Sequence, residues 1–145
     1  MTLVRENLLY LYNNSINEQE DEGKKPWASD IENDTISNNN FRKVIWTGEY
    51  VQLVLMTLNP GKKIDLEVHE GHDQFVRIER GKANLKTGKT KENLDFDKTL
   101  EEGWAGMIPA GYWHEIENTG EGNLSLYTIY SPPEHPENTV EYTKE

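Results

Sequence analysis

The feature that most constrains this chain is how often it is interrupted from Phe41 onward. Short runs rich in β-branched and aromatic residues follow one another: Val44–Thr47, Val51–Leu58, Phe75–Glu79, Ala83–Lys86, Trp104–Ile108, Tyr112–Glu117 and Leu124–Tyr130. Breakers separate them at Gly48, Asn59-Pro60-Gly61, Gly81, Gly88, Gly103, Pro109-Ala110-Gly111 and Asn118-Thr119-Gly120. No segment carries a helical period over three turns. Many short strands at close spacing predict an all-β sandwich or barrel, and the prolines at 132, 133 and 136 end the last strand.

The first 40 residues have another texture. A short apolar patch, Leu8-Leu9-Tyr10-Leu11-Tyr12, precedes a stretch in which Glu18, Glu20, Asp21, Glu22, Asp30, Glu32 and Asp34 alternate with Asn and Ser, and Trp27 is the one aromatic residue. Such a stretch buries too little to offset its ordering entropy. The expected organisation is therefore a polar acidic arm over 1–40, partly mobile, a barrel domain over 41–132 and a tail over 133–145.

A net charge of −11 repels phosphate backbones and anionic membranes. Neither nucleic acid nor membrane is an expected partner. With no cysteine, disulfides, thiolate nucleophiles and Cys-type zinc sites are excluded. No run approaches the ~20 apolar residues of a membrane span, and the N-terminus does not read as a leader. A cytoplasmic location is the expectation.

Two segments carry chemistry. Gly103, Pro109, Gly111, His114 and Asn118 match the pattern G-x5-P-x-G-x2-H-x3-N without a gap. Pro109-Ala110-Gly111 reads as a tight turn, and the following strand puts His114, Ile116 and Asn118 on one face. Upstream, Gly61 and Gly81 bracket Glu67, His69 and Gln74. Glu67 and His69 are two apart, so on a strand they point the same way. Gln74 shares a face with Val76 and Ile78.

These two segments resemble the paired motifs of the cupin family, whose first motif reads G-x5-H-x-H-x3,4-E-x6-G. Here Glu67 stands at the usual first His and Gln74 at the usual Glu. The stretch from Phe41 to Pro136 is also similar to small cupins of the mannose-6-phosphate isomerase-like group, through NFRKVIWTG, QLVLMTLNPG, EVHEGHDQF, IPAGYWHEIENTG and LYTIYSPPEHP. The resemblance implies a cupin jelly-roll barrel, a homodimer, a small-molecule ligand and a divalent metal on Glu67, His69, Gln74 and His114. Two imidazoles, one carboxylate and one amide oxygen suit Zn, Mn, Fe, Co or Ni.

Three functions fit this set: a metal-dependent enzyme on a small polar molecule, most simply an isomerase on a sugar or sugar phosphate; an Fe- or Ni-dependent dioxygenase; and a non-catalytic binding or sensing module. Isomerisation needs a general base besides the ligands, and Glu67 is the only interior carboxylate the pattern supplies. His72 and His135 are expected at the surface, Arg77 on the outer face, and Tyr112, Trp113 and Tyr130 around the mouth or core.

Overall fold

The computed structural model describes residues 19–144; the apolar patch at positions 8–12 lies outside them. Among the described residues, period-two runs form ten strands: β1 (Arg42–Thr47), β2 (Gln52–Leu58), β3 (Lys63–Val68), β4 (Asp73–Arg80), β5 (Ala83–Gly88), β6 (Phe96–Leu100), β7 (Ala105–Ile108), β8 (Trp113–Asn118), β9 (Leu124–Ser131) and β10 (Val140–Glu141). One sheet has the order β10-β1-β2-β9-β4-β7, the other β3-β8-β5-β6. Their inner faces make one core, with Val54, Met56, Val76, Ile78 and Leu126 from the larger sheet against Ile64, Leu85 and Ile116 from the smaller. This is the expected jelly roll.

The alternation places the key side chains as anticipated. Gln74, Val76 and Ile78 are buried along β4, and His114, Ile116 and Asn118 along β8. Arg77, of the opposite parity, reaches outward and pairs with Glu79 at 2.8 Å. Strands β3, β6 and β10 fall outside the apolar runs. β3 and β6 lie at the two edges of the smaller sheet; β3 exposes half of its residues and β6 most of them, so composition does not mark them.

Two turns hold the barrel in register. Gly111 takes φ +81°, a left-handed conformation that glycine adopts without a Cβ penalty, and its N–H donates to His69 O at 2.9 Å. Asn118 closes the far end of β8: its Nδ2 donates to Leu58 O and Gly122 O, and its Oδ1 accepts from Gly120 N, all at 2.9 Å.

Residues 19–40, expected as a solvated arm, lie against the barrel. Trp27 and Ile31 pack with Leu53 and Tyr127 on Ile45 and Leu55, on the outer face of the larger sheet. A short helix, α1 (Ile31–Ser37), is capped by Asp30, whose side chain accepts from Asn33 N. Three of the acids that suggested solvation, Asp21, Asp30 and Asp34, serve as acceptors. Asp21 takes hydrogen bonds from Thr47 N at 3.0 Å and Thr47 Oγ1 at 2.6 Å, and Asp34, buried, takes one from Ser29 Oγ. Carboxylates paired with local N–H and O–H groups can be buried where unpaired ones cannot.

Candidate metal centre

The site begins with an irregularity in β3. The β3–β8 register shifts between Ile64 and Glu67, so both residues point inward although they are three apart. A bulge re-aims a side chain in this way. Glu67 then lies opposite His114 on β8, while His69 follows the end of β3, where its carbonyl is held by the Gly111 turn.

The three side chains converge. Glu67 Oε1 is 3.2 Å from His69 Nε2 and 3.3 Å from His114 Nε2, and one ligand atom from each residue lies within 4.8 Å of the others. His114 is 1% exposed, so its imidazole has left water almost entirely. Its Nδ1 is 3.3 Å from Tyr112 O. The ring nitrogen facing the site, Nε2, sits off the line that a hydrogen bond to Glu67 requires and has no such bond.

Gln74 stands on β4 of the other sheet. It is buried, its Nε2 donates to Thr128 Oγ1 at 3.0 Å, and Thr128 Oγ1 in turn donates to Phe75 O at 2.8 Å. That chain fixes the amide orientation, and it leaves Gln74 Oε1 buried without a hydrogen bond. The meeting ligand atoms of two imidazoles and a carboxylate form a donor set a divalent transition metal takes, and the buried, unpartnered Gln74 oxygen is a further donor type of that kind. The residues present fit such an ion.

Electrostatics follow from the crowding. Burial pushes the Glu67 carboxyl up, but the close imidazoles of His114 and His69, through contact and charge, together outweigh it and hold it well below the usual carboxylate range. The Glu67 hydrogen bond raises His69 above its ordinary value; burial opposes this, and the charges of Glu67 and Glu134 add to it. Burial drives Tyr130 upward, aided by the Glu67 charge.

Sequence reasoning missed one carboxylate. Glu134, in the segment after β9, places Oε1 at 3.3 Å from His69 Nδ1 and Oε2 at 3.0 Å from His72 Nδ1. It stands behind the imidazole, where an acceptor fixes the tautomer and leaves Nε2 for an ion. The Pro132-Pro133-Glu134-His135-Pro136 stretch was its only signal in the sequence.

The same segment corrects the surface assignment of two histidines. His72 is partly buried, with Nε2 3.0 Å from Pro133 O, and its ring lies edge-on to His69 at 6.0 Å. His135 packs edge-on against Tyr130 at 5.2 Å. Its backbone N–H donates to Gln52 Oε1 at 2.9 Å, and its carbonyl accepts from Gln52 Nε2 at 2.8 Å. A buried glutamine needs both kinds of partner, and the tail supplies them. Of the aromatic residues, Tyr130 belongs to the core and meets His69 edge-on at 5.6 Å, and Tyr112 packs against that core. Trp113 lies beneath Lys91 Nζ, 6.0 Å from the ring centroid.

Comparison with known proteins agrees with this architecture. The family model described as "Cupin domain" matches residues 54–130. The chain is 46% identical over 124 residues to the uncharacterized protein YrkC of Bacillus subtilis (strain 168), covering 86% of this chain and 67% of that protein. It is 43% identical over 116 residues to the uncharacterized protein L612 of Acanthamoeba polyphaga mimivirus, covering 79% and 71% respectively. Among solved structures, BH2720 from Bacillus halodurans aligns with a TM-score of 0.84 at 41% identity, covering 85% of this chain and 93% of that one.

Proposed function

The chain belongs to the cupin family, and from that premise we propose that it is a metal-dependent enzyme acting on a small polar molecule of the sugar or sugar-phosphate class. Its ligands are Glu67, His69, Gln74 and His114. The observation that carries this reading is the meeting of Glu67, His69 and His114 ligand atoms within 4.8 Å.

When bound, a divalent ion there supplies Lewis-acid polarisation of a carbonyl or hydroxyl oxygen. The chain's own groups do the rest. Glu67 brings the one negative charge of the ligand set, and the two imidazoles bring directional Nε2 donors. Glu134 holds His69 through Nδ1. It also provides the carboxylate outside the ligand set that isomerisation needs, able to accept a proton at a carboxylate oxygen. Tyr130 and Ile108, nearly fully buried on either side of Gln74 in the sheet, keep water from its amide.

Elemental analysis of protein purified without chelators, beside Glu67→Ala and His114→Ala, tests the proposal. Stoichiometric metal in the parent protein and loss in both variants is expected. Equal metal in all three removes it.

A second reading, a non-catalytic small-molecule binding module, is supported by the His69–Glu67–His114 contact, which partners the acid without an ion. Metal-stripped protein that keeps its affinity for a sugar would favour it. The two imidazoles and one carboxylate also suit a non-haem iron oxygenase, for which oxygen uptake by Fe-loaded protein is the test.

Pairing of two copies through a sheet edge is part of the proposal. It is supported by the exposed Met107 on edge strand β7, and a monomer mass in light scattering would remove it. A cytoplasmic location is kept on the same footing. No helix among the described residues is long and apolar enough to cross a membrane.

A further inference from the structure

Where the edge of the larger sheet meets the edge of the smaller one, a cavity of about 520 Å³ opens between β1, β3 and the chain from β10 onward. That volume is within the range of small-molecule sites. Its wall includes Arg42, Asp65, Glu67, Glu141 and Lys144. Glu67 therefore faces two ways, toward the imidazoles and toward this cavity.

Arg42 shares its parity on β1 with the core residue Val44, so its side chain turns to the inner side of the sheet. It is only 11% exposed, a high degree of burial for a guanidinium. Nη1 donates to Glu141 Oε1 at 2.8 Å, and the guanidinium carbon lies 5.1 Å from the Phe41 ring centroid. Nε is buried and has no hydrogen-bond partner. A guanidinium offers its donors as a planar fork, and a buried donor left unmade is costly. The Arg42 charge also acts on His69, Tyr130 and His135, so the cation and the metal centre share one field.

We infer that Arg42 anchors an oxyanion subsite: the substrate of this site carries a carboxylate or phosphate that engages the Arg42 guanidinium, while a polar oxygen at its other end reaches the Glu67–His69–His114 centre. This deepens the proposed function and rests on it. The charge balance is consistent. The cavity wall carries two cations, Arg42 and Lys144, against Asp65, Glu67 and Glu141. Lys144 is tied to Asp65 at 2.7 Å and Arg42 to Glu141 at 2.8 Å. A divalent ion on Glu67 turns the wall net positive, so an anionic ligand is attracted despite the chain's charge of −11.

Calorimetric titration of the metal-loaded full chain with gluconate, glucose 6-phosphate and glucose tests this, with Arg42→Gln, Arg42→Lys and Glu141→Gln measured beside the parent. Metal content and thermal melts are recorded for each protein. At least one anionic probe should bind about tenfold or more tighter than glucose, and which one does so separates carboxylate from phosphate. Arg42→Gln should erase the preference with metal retained, and Arg42→Lys should keep part of it. Glu141→Gln should strengthen anion binding, an effect that a purely structural ion pair would not give. The inference is overturned if the parent protein shows no preference for either anion, including no binding of any probe, or if Arg42→Gln binds like the parent. A parent protein that prefers anions yet holds no metal sinks the metal reading and leaves the Arg42 subsite standing.

Discussion

Glu67 on β3 and His114 on β8 are direct cross-strand partners, and the Glu67 carboxylate lies between the ring of His114 and that of His69. The pairing depends on the β3 bulge; in an unbulged strand, Ile64 and Glu67 would face opposite ways.

In the proposed ligand set, Gln74 is the weakest donor. Replacing it by Glu should tighten divalent-metal binding roughly tenfold by adding charge to the ligand set. The same change should destabilise the metal-free protein by about 3 kcal/mol, because a 3%-exposed carboxylate is left without a cation. Chelator competition and denaturant melts, run with and without metal, read the two opposite signs. Movement in the same direction would show that Gln74 is not a ligand.

In the proposed centre, Glu134 would act through His69, which it contacts at Nδ1. Glu134→Gln should lower metal affinity by about 10–100-fold with little change in the melting temperature of the metal-free protein. Unchanged affinity would mean that the contact at 3.3 Å merely closes the mouth.

The metal-free protein should be most stable near the ordinary histidine value. His69 is raised above 6.5 when folded, so its contribution is complete below that pH and is lost as pH rises through its folded value. His135 is lowered, by burial first and by the Arg42 charge next. Its contribution is present above 6.5 and lost as pH falls through its folded value. Melts from about pH 5 to about pH 8 should rise and then fall. His69→Gln should flatten the alkaline limb and His135→Gln the acid limb.

The Asn118 amide is hydrogen-bonded at both ends, which assigns it to the fold. Asn118→Ala should cost about 2–3 kcal/mol, because two carbonyls and one N–H lose their partner inside the barrel. Asn118→Asp should be worse, since it turns a carboxylate oxygen toward the carbonyls of Leu58 and Gly122. Metal content of the folded fraction should not change in either variant.

The arm contributes to stability. Trp27→Ala should cost about 2 kcal/mol in chemical denaturation, through the packing it makes on Ile45 and Leu55. No measurable loss would return residues 19–40 to the solvated role that their composition suggests.

What was legible in the sequence was local. Period two put Gln74 with Val76 and His114 with Ile116 on buried faces, and Pro109-Ala110-Gly111 marked the turn that leads into β8. The unread parts depend on partners far along the chain. Asp21 looks solvated until Thr47 and Asn138 supply its donors. Glu134 reads as tail until it meets His69 and His72. Arg42 looks like any basic residue at the start of a strand until Glu141 and the cavity give it a direction. Charge composition predicts solvation on average, and it fails where folding provides a specific acceptor or donor.

The backbone between Ser131 and Glu141 carries two controls on one short tether. Glu134 steadies a ligand of the centre, and Glu141 restrains the cation at the cavity wall. Inserting or deleting a residue there would displace both together. Any lineage retuning what this cavity admits would therefore alter ion retention in the same step, unless it substituted side chains and left the tether's length alone.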